Sequence, residues 1–442
     1  MKRIVVAGTG FVGLSTGISF ATIGHKVTCV DIDKEKISLL QKGISPIYEP
    51  GLQESLLENI NLGRIDFTTD YEEAYRNADL IFIAVGTPEM QDGTANLIYL
   101  KEVARDIAIC IESDIVVVIK STVPVGTNEM IKQMMVEYAK PHICIEVVSN
   151  PEFLREGSAL YDIFNGDRIV IGSDSLNATL LLQDLYKPFN IPIFITNVRS
   201  AEMVKYASNA FLATKISFIN EISMICEKVD ADIEQVALGM GLDHRIGSQF
   251  LKAGIGFGGS CFPKDTTALV KESELRGLEL KLLKSVIEIN EKQQMKLFDL
   301  VTNNIGQLKD KKIAILGASF KPNTNDLRHA PSILLIQQLL KEGVNITAYD
   351  PIALPELFNE FGNLINYTTN LKDAINEKDA ALILTEWDEI VHANVAIYEQ
   401  YMKRPIVFDG RNCYSLDRIC QTSIHYYSIG RKTINPILQL SH

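Results

Sequence analysis

The chain reads as an α/β protein in which two doubly wound parallel-sheet domains are joined by a central helical domain with a long helix. Three observations predict this. A strand, a glycine-punctuated turn, a helix and a second strand open the chain, over residues 3–31. A related strand–turn–helix–strand succession recurs between Lys311 and Asp350. Between them, residues 199–230 keep a helical pattern without Gly or Pro, and a second long helical pattern covers roughly 278–305. The expected division is 1–196, 197–306 and 307–442.

The opening unit is the most specific. Arg3 to Ala7 is a buried strand. Gly8-Thr9-Gly10-Phe11-Val12-Gly13 then starts a helix running to about Gly24, and Lys26 to Val30 is a strand ending at Asp31. The first two glycines allow the turn and the close approach of a pyrophosphate, which sits on the helix amino end. The third lets helix pack on strand. Asp31 suits the adenosine ribose hydroxyls and repels a 2′-phosphate, favouring NAD over NADP. A structural glycine turn alone would not need the whole unit, so the domain is read as Rossmann-like and dinucleotide-binding.

Further strands are expected at Ile65 to Thr68, Leu80 to Val85, Ile115 to Lys120, Ile143 to Ser149 and Arg168 to Ile171, alternating with helical patterns. Three strand ends carry polar loops: Gly86 to Pro88, Ser121 to Thr127 and Asn150 to Gly157. Ligands bind outside the carboxyl ends of such strands, so these loops should face the cofactor. Thr122 and Glu152 are read as functional, and their neighbours as turn chemistry.

Composition narrows the class. The chain has 442 residues, 46 % of them hydrophobic and 22 % charged, enough for two or three domains with buried cores. A formal net charge of -12 argues against a nucleic-acid or anionic-membrane binder, while leaving room for a local basic pocket. No stretch approaches a membrane span, and the apolar run at the amino end is too short for a signal peptide. Seven cysteines without a CxxC pair suggest neither a disulfide framework nor a metal site. A cytoplasmic protein with reduced thiols is expected.

Chemistry concentrates at Gly254-Ile255-Gly256-Phe257-Gly258-Gly259-Ser260-Cys261-Phe262-Pro263-Lys264-Asp265. The glycines would let backbone run tight against a ligand. A nearby cation favours the thiolate, which is the nucleophile. Taken alone, the stretch fits a catalytic cysteine or a small buried one equally. Lys205 and Asn209, four apart, share a helical face among Met203, Ala207, Ala210 and Phe211. They are either a solvated fringe or a desolvated pair that polarises a substrate oxygen. That helix could also form a subunit contact. In the last domain the turn Gly317 to Pro322 lacks the GxGxxG spacing, and strands are expected near Ala380 to Thr385 and Pro405 to Asp409. Lys321, Arg328 and Arg411 stand at or after strand ends, suited to phosphate contacts.

With these pieces placed, the sequence closely resembles the UDP-glucose 6-dehydrogenase family within the nucleotide-sugar dehydrogenases. The resemblance covers essentially the whole chain: GTGFVGL at 8–14, GTP at 86–88, STVPVGT at 121–127, NPEFLREG at 150–157, FLKAGIGFGGSCFPKD at 250–265 and FKPNTNDLR at 320–328. It implies a four-electron oxidation of UDP-glucose to UDP-glucuronate with two NAD. Cys261 would attack the C6 aldehyde, and the thiohemiacetal would give a thioester that water hydrolyses. Lys205 with Asn209 would stabilise the oxyanion, since one preorganised cation and amide can serve several steps that place charge on the same oxygen. Asp265 would act on Lys205 or the water, and Glu152 with Thr122 in acid–base and water-positioning roles.

For NAD the resemblance implicates Gly8, Gly10, Phe11, Val12, Gly13, Asp31, Lys36, Thr87, Thr122, Glu156, Lys264 and Arg328. For the sugar nucleotide it implicates Glu152, Phe153, Leu154, Lys205, Asn209, Phe250, Leu251, Lys252, Gly258, Phe320, Lys321 and Arg411. Arg245 resembles an arginine that reaches the neighbouring subunit's site, making a homodimer the expected active unit. One departure is Asn325, where bacterial relatives often carry Asp. Three rivals stay open: the same chemistry on GDP-mannose or a UDP-N-acetylhexosamine, a two-electron hydroxyacid dehydrogenase, and a non-catalytic dinucleotide sensor.

Overall fold

Short runs of β-branched residues alternating with amphipathic helices leave one economical arrangement, a parallel sheet covered on both faces. The computed structural model describes residues 1–435 and contains two such sheets. The last residues of the expected third domain, 436–442, lie outside the described residues. The chain groups into two compact units: Met1–Ser208 with Glu274–Arg276, and Asn209–Ser273 with the residues from Gly277 on. The division falls inside one continuous helix, Val198–Val229.

In the first unit β1 (Arg3–Ala7), β2 (Lys26–Val30), β3 (Ile65–Thr68), β4 (Leu80–Ile83), β5 (Ile115–Ile119), β6 (Ile145–Ser149), β7 (Ile169–Gly172) and β8 (Ile193–Thr196) form one sheet. Its order is β3-β2-β1-β4-β5-β6-β7-β8. The first six strands are parallel, in the order of a dinucleotide-binding sheet. The expectation of a wholly parallel sheet fails at one place. β6 meets β7 antiparallel through Ser149 and Gly172, while β7 and β8 are parallel to each other. The connection spends its length on the loop after β6 and the short helix Ala159–Asn165, which brings the chain back in the opposite sense. Cores on the two faces are built from alternate residues of the same strands, Ile4 and Val6 on one side, Val5 and Ala7 on the other.

In the second unit β9 (Lys312–Leu316), β10 (Asn345–Tyr349), β11 (Asn366–Thr368), β12 (Ala380–Ile383), β13 (Ile406–Asp409) and β14 (His425–Ser428) form a six-stranded sheet, all parallel. Its order, β11-β10-β9-β12-β13-β14, repeats that of the first six strands of the other sheet. The unit also holds the helices Phe262–Leu275 and Lys281–Ile305. Strands β8, β11 and β14 were not among the expected ones. Each is three or four residues long and stands at a sheet edge, where the apolar signal is weakest. Among the described residues no helix is long and apolar enough to cross a membrane.

Candidate active site

The glycine turn after β1 behaves as its spacing predicts. Gly8 has φ +98°, and a Cβ there would lie 2.6 Å from the Ala84 carbonyl oxygen. A Cβ on Gly13 would lie 2.0 Å from the Gly8 oxygen, so the helix Phe11–Thr22 can pack this closely only without one. Gly10 differs: its Cβ would meet no protein atom within 4 Å, and no side chain caps the helix it begins. That open, uncapped amino end fits a pyrophosphate.

Asp31 accepts hydrogen bonds from Thr9 N at 2.9 Å, Thr9 Oγ1 at 2.7 Å and Asp33 N at 3.1 Å, and from Lys36 Nζ at 3.4 Å. Burial pushes its carboxyl up, but the Thr9 and Asp33 bonds and the Lys36 charge outweigh this and hold it below the usual carboxylate range. Asp31 is therefore ionised at neutral pH, as a ribose acceptor must be. Phe11 and Val12, half-buried, form the first turn of the helix.

The polar loops lie at the carboxyl ends of β4, β5 and β6. Thr87 Oγ1 donates to the Thr122 carbonyl at 2.8 Å, and Ser121 Oγ to that of Val85 at 2.6 Å, tying the first two loops together. A residue that sequence reading missed holds the second one. Glu202, buried, accepts from Gly126 N at 2.7 Å, Asn128 N at 2.9 Å and Asn128 Nδ2 at 2.6 Å. One turn further along the same helix is Lys205, whose Nζ donates to Glu152 Oε1 at 2.9 Å. Both are buried, 3 % and 6 % exposed, so the desolvated reading of Lys205 holds over the solvated fringe. Its ammonium also stands 5.3 Å from the Phe153 ring centroid, and the Arg168 guanidinium 3.8 Å from it.

The loop 150–157 is fastened at its far end by Glu49, also missed, which accepts from Gly157 N at 2.8 Å and Ala159 N at 2.5 Å. Leu154 N donates to Glu152 Oε2, and Glu156 is half-buried.

In the second unit Cys261, half-buried, directly precedes the helix Phe262–Leu275, where the helix dipole favours a thiolate. Its carbonyl accepts from Asp265 N at 2.8 Å. The Asp265 carboxylate, fully buried, takes Asn209 Nδ2 at 2.6 Å on one oxygen and Lys264 Nζ at 2.6 Å on the other. Lys264 thus spends its charge on Asp265. Asn209 stands one helical turn beyond Lys205 on the long helix.

The glycines before Cys261 make close approaches, but to the protein's own chain. A Cβ on Gly254 would lie 2.9 Å from the Gly410 oxygen, on Gly256 2.6 Å from Asn290 Oδ1, and on Gly258 2.2 Å from the His329 oxygen. Asn290 completes the fastening by accepting from Phe257 N at 2.7 Å and donating to its carbonyl at 3.1 Å. Gln293 donates to the Gly254 carbonyl at 2.7 Å. The stretch is a threaded strap that fixes where the thiol stands. Phe250, at its start, is held at φ +64°, a strained conformation for a bulky residue. Leu251 is buried and Lys252 exposed.

The basic residues of this unit are less alike than their sequence positions suggest. Arg411 donates to the carbonyls of Leu384 at 2.8 Å, Gly256 at 3.2 Å and Phe320 at 3.1 Å, drawing three strand-end segments together. Arg328 forks onto Asp326 at 2.8 Å, and Lys321 lies 5.4 Å from the Phe320 ring centroid. Arg245 forks onto Asp243, at 3.0 and 2.5 Å, with its side chain 79 % exposed, apart from the other site residues of its unit. Asn325 donates to Glu356, a contact that an Asp would replace by repulsion between carboxylates.

Three family matches tile this chain. Residues 2–190 match the NAD binding domain of the UDP-glucose/GDP-mannose dehydrogenase family, 199–292 its central domain and 314–416 its UDP binding domain. The chain belongs to that family. As one of these NAD-dependent dehydrogenases it is similar at full length to UDP-glucose 6-dehydrogenase YwqF of Bacillus subtilis, with 54 % identity over 98 % of the chain and 99 % of the relative. UDP-glucose 6-dehydrogenase TuaD of the same organism is 48 % identical over 98 % and 94 %. Among solved structures, a UDP-glucose dehydrogenase from the archaeon Pyrobaculum islandicum superposes with a TM-score of 0.91 at 36 % identity, covering 98 % of each chain. The family's NAD fits the open Gly10 end and ionised Asp31 found here.

Proposed function

We propose that this chain oxidises UDP-glucose to UDP-glucuronate in two successive two-electron steps, with Cys261 carrying the sugar between them. NAD, when bound, supplies the hydride acceptor for each step. In the first, C6 loses a hydride and its hydroxyl a proton, giving the aldehyde. The Cys261 sulfur then adds to C6, and the thiol proton leaves to a base. The hemithioacetal loses a second hydride and its hydroxyl proton, leaving a thioester. Water adds, the C–S bond breaks, and the carboxylate and free thiol are released.

Each charged intermediate places negative charge on one oxygen. Lys205 and Asn209 would steady it, and Glu152 with Thr122 would hold the water and move its proton. Asp265 orients Asn209 through its 2.6 Å hydrogen bond. The observation that carries this reading is the placing of Cys261. A half-buried thiol is fixed at a helix amino end by a glycine strap and followed one turn later by a buried carboxylate that binds an amide. A two-electron dehydrogenase would need none of this.

The three-part division of the chain, a cytoplasmic location and a homodimer belong to the same reading. Phe211, Phe218 and Ile225 are exposed at seven-residue spacing on the long helix, an apolar seam suited to a second copy. Arg245, extended and exposed, is the residue offered to that copy.

The test is stoichiometric. Purified protein should release two NADH for each UDP-glucose consumed, with UDP-glucuronate as the product. A ratio of one, or faster turnover of GDP-mannose or a UDP-N-acetylhexosamine, would overturn the assignment.

A further inference from the structure

Lys120 is a buried cation that the reaction as described does not use. It follows β5 directly and is 8 % exposed. Its Nζ donates to Asn150 Oδ1 at 3.2 Å and stands 5.9 Å from the Tyr186 ring centroid. The same Asn150 oxygen accepts from the Tyr186 hydroxyl at 2.5 Å, and Asn150 Nδ2 donates to the Val170 carbonyl at 2.7 Å. Asn150 is thereby locked two residues ahead of Glu152.

A neutral amide oxygen and a ring face are poor replacements for water around an ammonium. The charges that act on Lys120 come from two other elements, Glu152 in the loop after β6 and Lys205 on the long helix. Tyr186, at the end of the helix Leu176–Tyr186, stays neutral because burial pushes its hydroxyl well above its usual value. Arg168 is engaged with the Phe153 ring. Two buried ammonium groups therefore act on one buried carboxylate. Burial brings Lys120 down to about 8; Glu152 pulls it back up and Lys205 pushes it further down.

We propose that Lys120 is a positioning residue for the oxidation: it locks Asn150 and, through its charge, sets the protonation balance of the Glu152–Lys205 pair. The inference rests on the roles given above to Glu152 and Lys205. A cation at Lys120 favours the ionised carboxylate on Glu152 and disfavours a proton on Lys205. As pH rises through about 8 that cation is lost and both influences fade.

Two variants separate the hydrogen bond from the charge. Lys120→Met removes both, whereas Lys120→Gln keeps a donor for Asn150. Both limbs of the kcat–pH profile should move to higher pH by about one unit in each variant. At neutral pH kcat should fall about tenfold or more, with KM for NAD within about twofold of wild type. Thermal unfolding should occur at an unchanged or higher temperature, because a buried charge has been removed and a neutral pair left behind. Unshifted limbs in a folded variant overturn the proposal, as does a lowered unfolding temperature in both, which would make Lys120 structural. Wild-type turnover of UDP-glucose is measured alongside. Its absence overturns the proposed function, while unshifted limbs beside an active wild type overturn the role of Lys120 alone.

Discussion

The two sheets share a strand order and a turn, yet treat the acid at the end of their second strand in opposite ways. In the first, Gly8 N donates to the Val30 carbonyl at 2.8 Å and Thr9 N to Asp31. In the second, Gly317 N donates to the Tyr349 carbonyl at 2.8 Å and Ala318 N to Asp350 at 2.8 Å. The turn glycine keeps its left-handed conformation in both, with φ +98° and +86°.

After that the sheets diverge. The first chain enters its helix at once, through Gly10. The second inserts residues 320–330 before the helix Pro331–Lys341 begins. Asp31 remains partly accessible, whereas Asp350 is 0 % exposed and accepts further from Ser319 N, Ile352 N, Ala353 N and the Trp387 indole at 3.1 Å. An acid kept open can take a ribose. An acid saturated by its own protein has become an anchor. A shared fold thus does not fix what a shared position does.

The largest expected effect of breaking this contrast is at the anchor. Asp350→Ala should strand several buried donors and destabilise the second unit by about 3–5 kcal/mol, read by chemical denaturation, while KM for NAD in the surviving protein stays unchanged. Asp31→Ala should do the reverse. KM for NAD should rise about ten- to a hundredfold, with a stability loss within about 1 kcal/mol, measured by kinetics and the same denaturation. A fall in stability equal to that of Asp350→Ala would erase the distinction.

Gly10→Ala is a finer probe. Its methyl meets no protein atom, so stability should hold while NAD affinity, by calorimetry, falls about tenfold. The smallest effect is in pH. Because Asp31 is held below the usual carboxylate range, its contribution to stability is complete above the unfolded value near 3.8 and is lost as pH falls through its lower folded value. Acid unfolding of Asp31→Asn should lose that steepening at the acid end, whereas at neutral pH the variant should bind NAD less tightly.

How much of this was legible depends on how far apart the partners lie in sequence. Gly8, Gly13 and Asp31 were readable because strand, turn and helix are contiguous and their spacing is itself the physical requirement. Lys205 was visible as a cation amid apolar neighbours, but not its carboxylate partner, which lies 53 residues away. Glu202, Glu49, Asn290 and Gln293 gave no signal at all. Each is an ordinary polar residue until a fold buries it against a loop of unsatisfied backbone groups. Lys120 was hidden more thoroughly, because a lysine closing an apolar strand normally marks the exit to solvent. The glycine strap was recognised but its reason was not, since sequence cannot say whether glycine makes room for a ligand or for the protein's own backbone.

The most direct measurement is the yield of UDP-glucuronate from Cys261→Ala, by chromatography, in protein shown to retain wild-type NAD affinity. If the sugar passes through a sulfur ester, removal of the sulfur should cut acid formation about a thousandfold or more. Acid appearing at a rate within tenfold of the unaltered protein would contradict the account.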